Sequence, residues 1–223
     1  MSDAFTASEK TRLRRAHLRG HYDKETVYAV LDASMLCHVG YNIDGEPYVT
    51  PTIHWRDDDR LYWHGSSASR MIRSVEGGAP VCLTVSFLDG LVLARSGFHC
   101  SVNYRSAMAF GHARAVTDEA HRLAALKDFI DKMMPGRWDD MRPPNEQEMK
   151  ATTVVYMDIE EASAKIRTGP PIDDEEDYAL SCWAGVLPIE QHIGQPIADP
   201  KLAAGTPEPD YLRAFKLLDG GGD

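Results

Sequence analysis

The chain has 223 residues, 43% of them hydrophobic, with 34 acidic against 24 basic side chains and a net charge of −10; that length suits one large domain, and that apolar content excludes a disordered chain. An acidic surface without a basic stripe argues against a nucleic-acid partner, and no 18-residue apolar run offers a membrane span. Four scattered cysteines (Cys37, Cys82, Cys100, Cys182) make neither a disulfide framework nor a zinc knuckle, and the first residues lack a basic, then apolar, leader pattern, so the expectation is a reduced, cytoplasmic, soluble protein.

In chain order, residues 8–19 read as a helix capped by Ser8 and ended by Gly20, with a basic solvated face. A second helix, residues 24–32, is capped by Asp23 and carries Val27, Val30 and Leu31 on one side. The period then changes to two. Residues 34–43 form a strand, Asp44-Gly45 a hairpin turn, and residues 48–55 the returning strand, in which Pro51 demands an edge, a bulge or a ligand-facing position. A turn at residues 57–59 leads to a third strand, residues 61–64, and then to a helix over residues 68–75. Residues 80–88 form a strand, with Asp89-Gly90 as a second hairpin signal and residues 91–95 returning. Residues 104–116 form a long strand in which Gly111 marks a bend or bulge. A helix follows from Thr117-Asp118 to about residue 134, with Leu123, Leu126, Phe129 and Ile130 on one face, and residues 152–159 form the last clear strand, extending toward residue 166.

Six or seven strands joined by hairpins imply an antiparallel sheet, and a closed or split β-barrel disposes of its edges. Three segments result: N-terminal helices over residues 1–33, a barrel over 34–168, and, over 169–223, an acidic connector, a Trp-containing segment and an extended arm.

The stretch Leu61-Tyr-Trp-His-Gly-Ser-Ser-Ala-Ser-Arg70, with Arg73 beyond it, combines hydroxyls, amides at a helix start and two guanidinium groups. That combination suits a dianionic phosphate, and it equally suits a Ser-capped helix after a strand. His54, His64, His99 and His112 fall on neighbouring strands or their ends. Imidazoles so placed could gather round a metal or haem, though independent roles are the commoner outcome and no metal site is expected.

Three stretches together resemble the pyridoxamine 5′-phosphate oxidase-like family of FMN-binding split barrels, and within it the nitroimidazole-resistance flavin proteins. They are Asp44-Gly-Glu-Pro-Tyr-Val-Thr-Pro-Thr-Ile-His-Trp55 with Leu61-Tyr-Trp-His-Gly65; Asn103-Tyr-Arg-Ser-Ala-Met-Ala-Phe-Gly111; and Cys182-Trp-Ala-Gly-Val-Leu-Pro188. The resemblance spans roughly residues 35–188. It implies an antiparallel six- to seven-stranded split barrel binding FMN, with Val49, Thr50, Pro51 and Thr52 beside the isoalloxazine. It implies that Ser66, Ser69 and Arg70 hold the phosphate; Met71 stands where the oxidases have Lys, and Arg73 is the candidate substitute. It places Arg105 and Ser106 by the cofactor, brings Trp183 to the flavin from a partner subunit, and makes His64 the catalytic candidate. The Arg-x-His element that would hold a B6 phosphate has no counterpart after Pro188, which disfavours B6 oxidation itself.

The implied function is an FMN-dependent oxidoreductase passing electrons from NAD(P)H to a small organic acceptor, such as a nitroaromatic, in a two-fold homodimer. Two other readings stay open: a non-catalytic flavin or haem carrier or sensor, and a reductase using the deazaflavin F420, for which this acidic chain offers few basic residues.

Overall fold

A computed structural model of the chain describes residues 3–214. Its strands are β1 (Gly20–His21), β2 (Leu36–Ile43), β3 (Glu46–Asp57), β4 (Arg60–Ser66), β5 (Gly77–Leu93), β6 (Ser101–Ala115), β7 (Thr152–Asp158), β8 (Glu161–Arg167) and β9 (Gly185–Pro188). The helices are α1 (Lys24–Asp32), α2 (Arg70–Val75), α3 (Glu119–Met133), α4 (Glu146–Ala151) and α5 (Asp210–Ala214). The strand order is β1-β8-β6-β7-β4-β3-β2-β5-β9, and β5 also pairs with β6. That last pairing closes β6, β7, β4, β3, β2 and β5 into an antiparallel ring, a split β-barrel, with β1, β8 and β9 as outlying strands.

The two longest strands, β5 and β6, pair from Gly77 opposite Arg114 to Val92 opposite Ser101. Along its other edge β6 changes partner: residues 104–110 face β8 and residues 113–115 face β7. Gly111 lies at the change, where a Cβ would stand 2.3 Å from the Asp158 carbonyl oxygen. The glycine serves this close approach of backbone to backbone; the irregularities of the β5–β6 ladder lie instead at residues 77–79 and 88–90, so the bulge expected at Gly111 does not form there. Residues 159–160 link β7 to β8, and their amides donate to the Asp59 and Phe110 carbonyls.

Alternation fills the interior. Leu61, Trp63, Leu83, Val85, Ala107, Ala109 and Met157 are fully buried, and α1 adds Val27, Val30 and Leu31 to the same cluster. Asp23 caps α1 by accepting from the Thr26 amide. A second cluster lies outside the ring, where Trp55, Tyr62 and Val154 meet Ala125, Leu126 and Phe129 of α3. Ala125, not Leu123, is the buried centre of α3; Leu123 is 38% exposed.

Two expected elements are absent. Residues 8–19 make one turn, an irregular path and a short 3₁₀ helix, His17–Arg19. Thr11 Oγ1 takes the Ser8 amide, the Tyr22 hydroxyl takes the Leu13 amide, and Ala16 adopts φ 51°. With no apolar stripe, side-chain partners outcompete the helix. Asp89-Gly90 is a bulge in the continuous β5 rather than a hairpin. The Asp89 carboxylate is held by Arg105, and its carbonyl accepts from Ile189 as β9 docks.

The Asp44-Gly45 turn has both residues at positive φ, as a two-residue hairpin requires. Pro51 sits on the half of β3, residues 46–53, that pairs only with β2, so its missing N–H disturbs no ladder.

Candidate functional site

Strand alternation sets the main site. Leu61 and Trp63 of β4 face the barrel core, so Tyr62 and His64 face outward beneath α3. The His64 ring lies 4.8 Å from that of Phe129 and 6.0 Å from that of Trp55, centroid to centroid. Its Nδ1 is buried without a hydrogen-bond partner, and burial holds its pKa below the ordinary histidine value, so the imidazole is neutral near pH 7.

His64 opens into a cavity of about 510 Å³, a volume in the range of small-molecule and cofactor sites. Its walls are Leu126, Phe129 and Ile130 of α3, Trp138 and Met141 of the following turn, and Met149 with Thr152 at the junction of α4 and β7. Two guanidinium groups, Arg137 and Arg142, also line it. Arg142 is matched by Glu148 through two hydrogen bonds of 2.8 and 2.6 Å. The wall between α3 and β7 is set by a capping box: Asn145 accepts from the Glu148 amide, and Glu148 accepts from the Asn145 amide.

The turn before α2 differs from its expected form. Ser69 makes no capping bond, and α2 is only six residues long. The turn's amides are already taken: Ser67 N–H by the Ala151 carbonyl, Ala68 N–H by Ser66 Oγ, and Ser69 N–H by the Ser66 carbonyl. Met71 is buried in the core, so it does not stand where a phosphate-binding Lys would point. Arg73 braces the turn instead, its Nε donating to the Ser67 carbonyl at 3.1 Å. Arg70 is exposed, with its guanidinium 4.7 Å over the Tyr48 ring. Tyr48 precedes Val49, Thr50, Pro51 and Thr52 on the free half of β3, and Thr50 Oγ1 meets the Tyr41 hydroxyl at 3.0 Å. Alternation therefore puts Thr50 and Thr52 on the side of β3 that Tyr48 and Arg70 share, and Val49 and Pro51 on the opposite, exposed side.

The other expected residues lie elsewhere. His64, placed by the sequence beside the phosphate turn, points instead under α3. Arg105 is committed to Asp89 and stacks on Phe87 at 4.6 Å, so it is no free cation for a cofactor. Ser106 donates to the Lys165 carbonyl and faces a cavity of about 230 Å³ with Arg12, Met108, Ser163 and Lys165. Trp183 is 69% exposed and folds over Gly185, where a Cβ would lie 2.9 Å from its ring. It lies two residues before β9, which pairs with the end of β5 opposite to α2. His54 is buried against the Leu31 carbonyl and His112 pairs with Glu160, so the histidines do not gather. Among the described residues no group of three or more metal-binding side chains forms, and no helix is long and apolar enough to cross a membrane.

The sequence reading missed the 137–152 wall. Two signals were present: the Asn145-x-x-Glu148 capping pattern, and Arg137, Trp138, Met141 and Arg142 between the expected helix and the last strand.

A family model described as pyridoxamine 5′-phosphate oxidase matches residues 23–166. No curated protein sequence matches the chain. Among solved structures, the flavocytochrome Anf3 from Azotobacter vinelandii is 48% identical over 94% of this chain and 98% of its own, with a TM-score of 0.89. The FAD and haem binding protein from Mycobacterium smegmatis is 36% identical over 88% of this chain and 96% of its own, with a TM-score of 0.84. A nitroimidazole antibiotic resistance protein from Bacteroides thetaiotaomicron, 22% identical over 65% of this chain and 84% of its own, shares the fold at a TM-score of 0.55.

Proposed function

The chain belongs to the pyridoxamine 5′-phosphate oxidase family, and from that premise we propose that it is a redox protein binding both a flavin and a haem. The observation that carries the haem is the cavity under α3. It offers one neutral, unpartnered imidazole at its base, aromatic and thioether walls, and guanidinium groups at its margin. Those residues would suit a haem: an imidazole nitrogen for the iron, apolar walls for the ring and cations for the propionates. His64 would ligate the iron, with Phe129 and Trp55 fixing its ring plane. Bound there, a haem supplies one-electron and oxygen chemistry. The chain's own part is to keep His64 deprotonated by burial and to exclude water with α3 and the 137–152 wall. Two structural relatives described as a flavocytochrome and as an FAD and haem binding protein support this reading.

The flavin belongs on the open surface of β3. Arg70 supplies the phosphate charge, and Thr50 and Thr52, with the backbone of residues 49–52, supply edge groups for the ring. Val49 is 67% exposed, and Trp183 is exposed at the far end of β5. A second copy of the chain would cover the first and deliver the second, which is the homodimer expected from sequence. FMN is the sequence expectation and FAD is bound by the Mycobacterium smegmatis relative; the mass of the released flavin separates them. The electron donor under this reading is NAD(P)H, read as bleaching of the flavin band.

The test is spectroscopic. The chain reconstituted with haem and flavin should show a Soret band and a flavin band. His64→Ala should lose the Soret band and keep the flavin, and Arg70→Ala should raise the flavin Kd about 10- to 100-fold and keep the haem. A Soret band that survives His64→Ala unchanged sinks the haem site; an unchanged flavin Kd in Arg70→Ala sinks the flavin placement.

A further inference from the structure

The last described residues return to the cavity. The Tyr211 hydroxyl, on α5, accepts from Arg137 Nη1 at 3.0 Å and donates to Asp140 Oδ2 at 2.7 Å. Its ring edge lies 3.5 Å from where a Cβ on Gly136 would be, and Gly136 has φ 87°. Arg137 and Asp140 both line the cavity, on the short 3₁₀ turn Arg137–Asp140. Residues three apart on such a turn eclipse one another, so these two are placed to pair directly. They do not pair: no ion pair joins Arg137 to a carboxylate among the described residues, whereas Arg142 is fully matched by Glu148. The hydroxyl stands between them, giving its proton to Asp140 and its lone pair to Arg137. A guanidinium has five N–H donors, and this contact uses one.

We propose that Arg137 is a carboxylate-binding point at the rim of the cavity, and that Tyr211 is the positioning residue that keeps its guanidinium from closing on Asp140. The ligand class is an apolar molecule bearing a carboxylate. Resting on the haem reading, that carboxylate is a porphyrin propionate. The segment that supplies Tyr211 lies beyond the residues 23–166 matched by the family model, so this recognition is an addition to the barrel.

The experiment titrates the full-length chain with ferric protoporphyrin IX and, separately, with its dimethyl ester, which lacks the carboxylates. The wild type should prefer the diacid about tenfold, the size of one charge-assisted hydrogen bond. Arg137→Gln should abolish the preference while leaving ester binding unchanged. Tyr211→Phe, which keeps the ring, should abolish it as well, and adding Asp140→Asn to Tyr211→Phe should restore it because Arg137 then has nothing to close on. The proposal is overturned if the wild type binds both porphyrins equally, if Tyr211→Phe keeps the preference, if it weakens both porphyrins alike, or if Asp140→Asn fails to restore it. A wild type that binds neither porphyrin overturns the haem reading and this one together; equal binding of both overturns this one alone.

Discussion

Gly111 is where one missing methyl group decides the barrel. An alanine there would put its Cβ against the Asp158 carbonyl oxygen, an atom of the backbone that cannot swing aside. Gly111→Ala should therefore cost about 2–3 kcal/mol and lower the thermal midpoint by roughly 5–10 °C; a midpoint within about 1 °C of wild type would show that the strands part more easily than the packing implies. His54 is the second telling residue. Its ring is 4% exposed, its Nδ1 has no partner, and burial lowers its pKa to about 4, with Asp32 and Lys132 as the nearby charges. The unfolded chain binds this proton near pH 6.5 and the folded chain only near pH 4. Stability should therefore be whole above pH 6.5 and fall as the pH drops through that window, by about 3 kcal/mol in all. Urea midpoints measured from pH 7 to 4 should show that slope in the wild type and a shallower one in His54→Gln.

Among the elements, legibility followed how local the cause was. Asp44-Gly45, the two-residue alternation of β2 to β4 and the Asp23-capped apolar stripe of α1 each carry their own reason, and each formed as read. Asp89-Gly90 carries the same dipeptide signal, yet became a bulge because Arg105 and β9, far along the chain, hold that strand straight. His64 was singled out from sequence and alternation turns it outward, but what covers it there is α3, from far along the chain. The wall from residue 137 to 152 had only short signals, and its shape comes from contacts across the cavity. Asn145→Ala removes one half of its capping box and should lower stability by about 1 kcal/mol. The effect to look for is local: amide exchange over residues 145–152 should quicken while exchange in β5 and β6 does not, and a uniform change would mean that α4 is not an independently capped unit.

At the scale of the whole molecule, one copy exposes more apolar surface than its barrel needs. Leu36, Val49, Phe98, Ile172, Trp183 and Leu187 are all more than half exposed. The connector that carries part of this surface is firmly fixed: the buried Asp173 carboxylate accepts from the Arg95 amide at 2.9 Å and from its guanidinium at 3.0 Å. A fixed apolar surface of this kind fits a symmetric partner. Light scattering should give twice the chain mass at micromolar concentration. Two substitutions, Val49→Asp and Trp183→Asp, should each move the mass toward that of one chain and lower flavin affinity with it. A monomeric wild type that still holds flavin would remove the case for a composite site.

The Tyr211 contact has a consequence for how the protein comes to be made. The cavity's floor and walls leave the ribosome many residues before the tyrosine that finishes its rim. A porphyrin offered to a nascent chain would meet a pocket with Arg137 still free to close on Asp140, so loading should be completed only once Tyr211 has been made and has taken its place between the two.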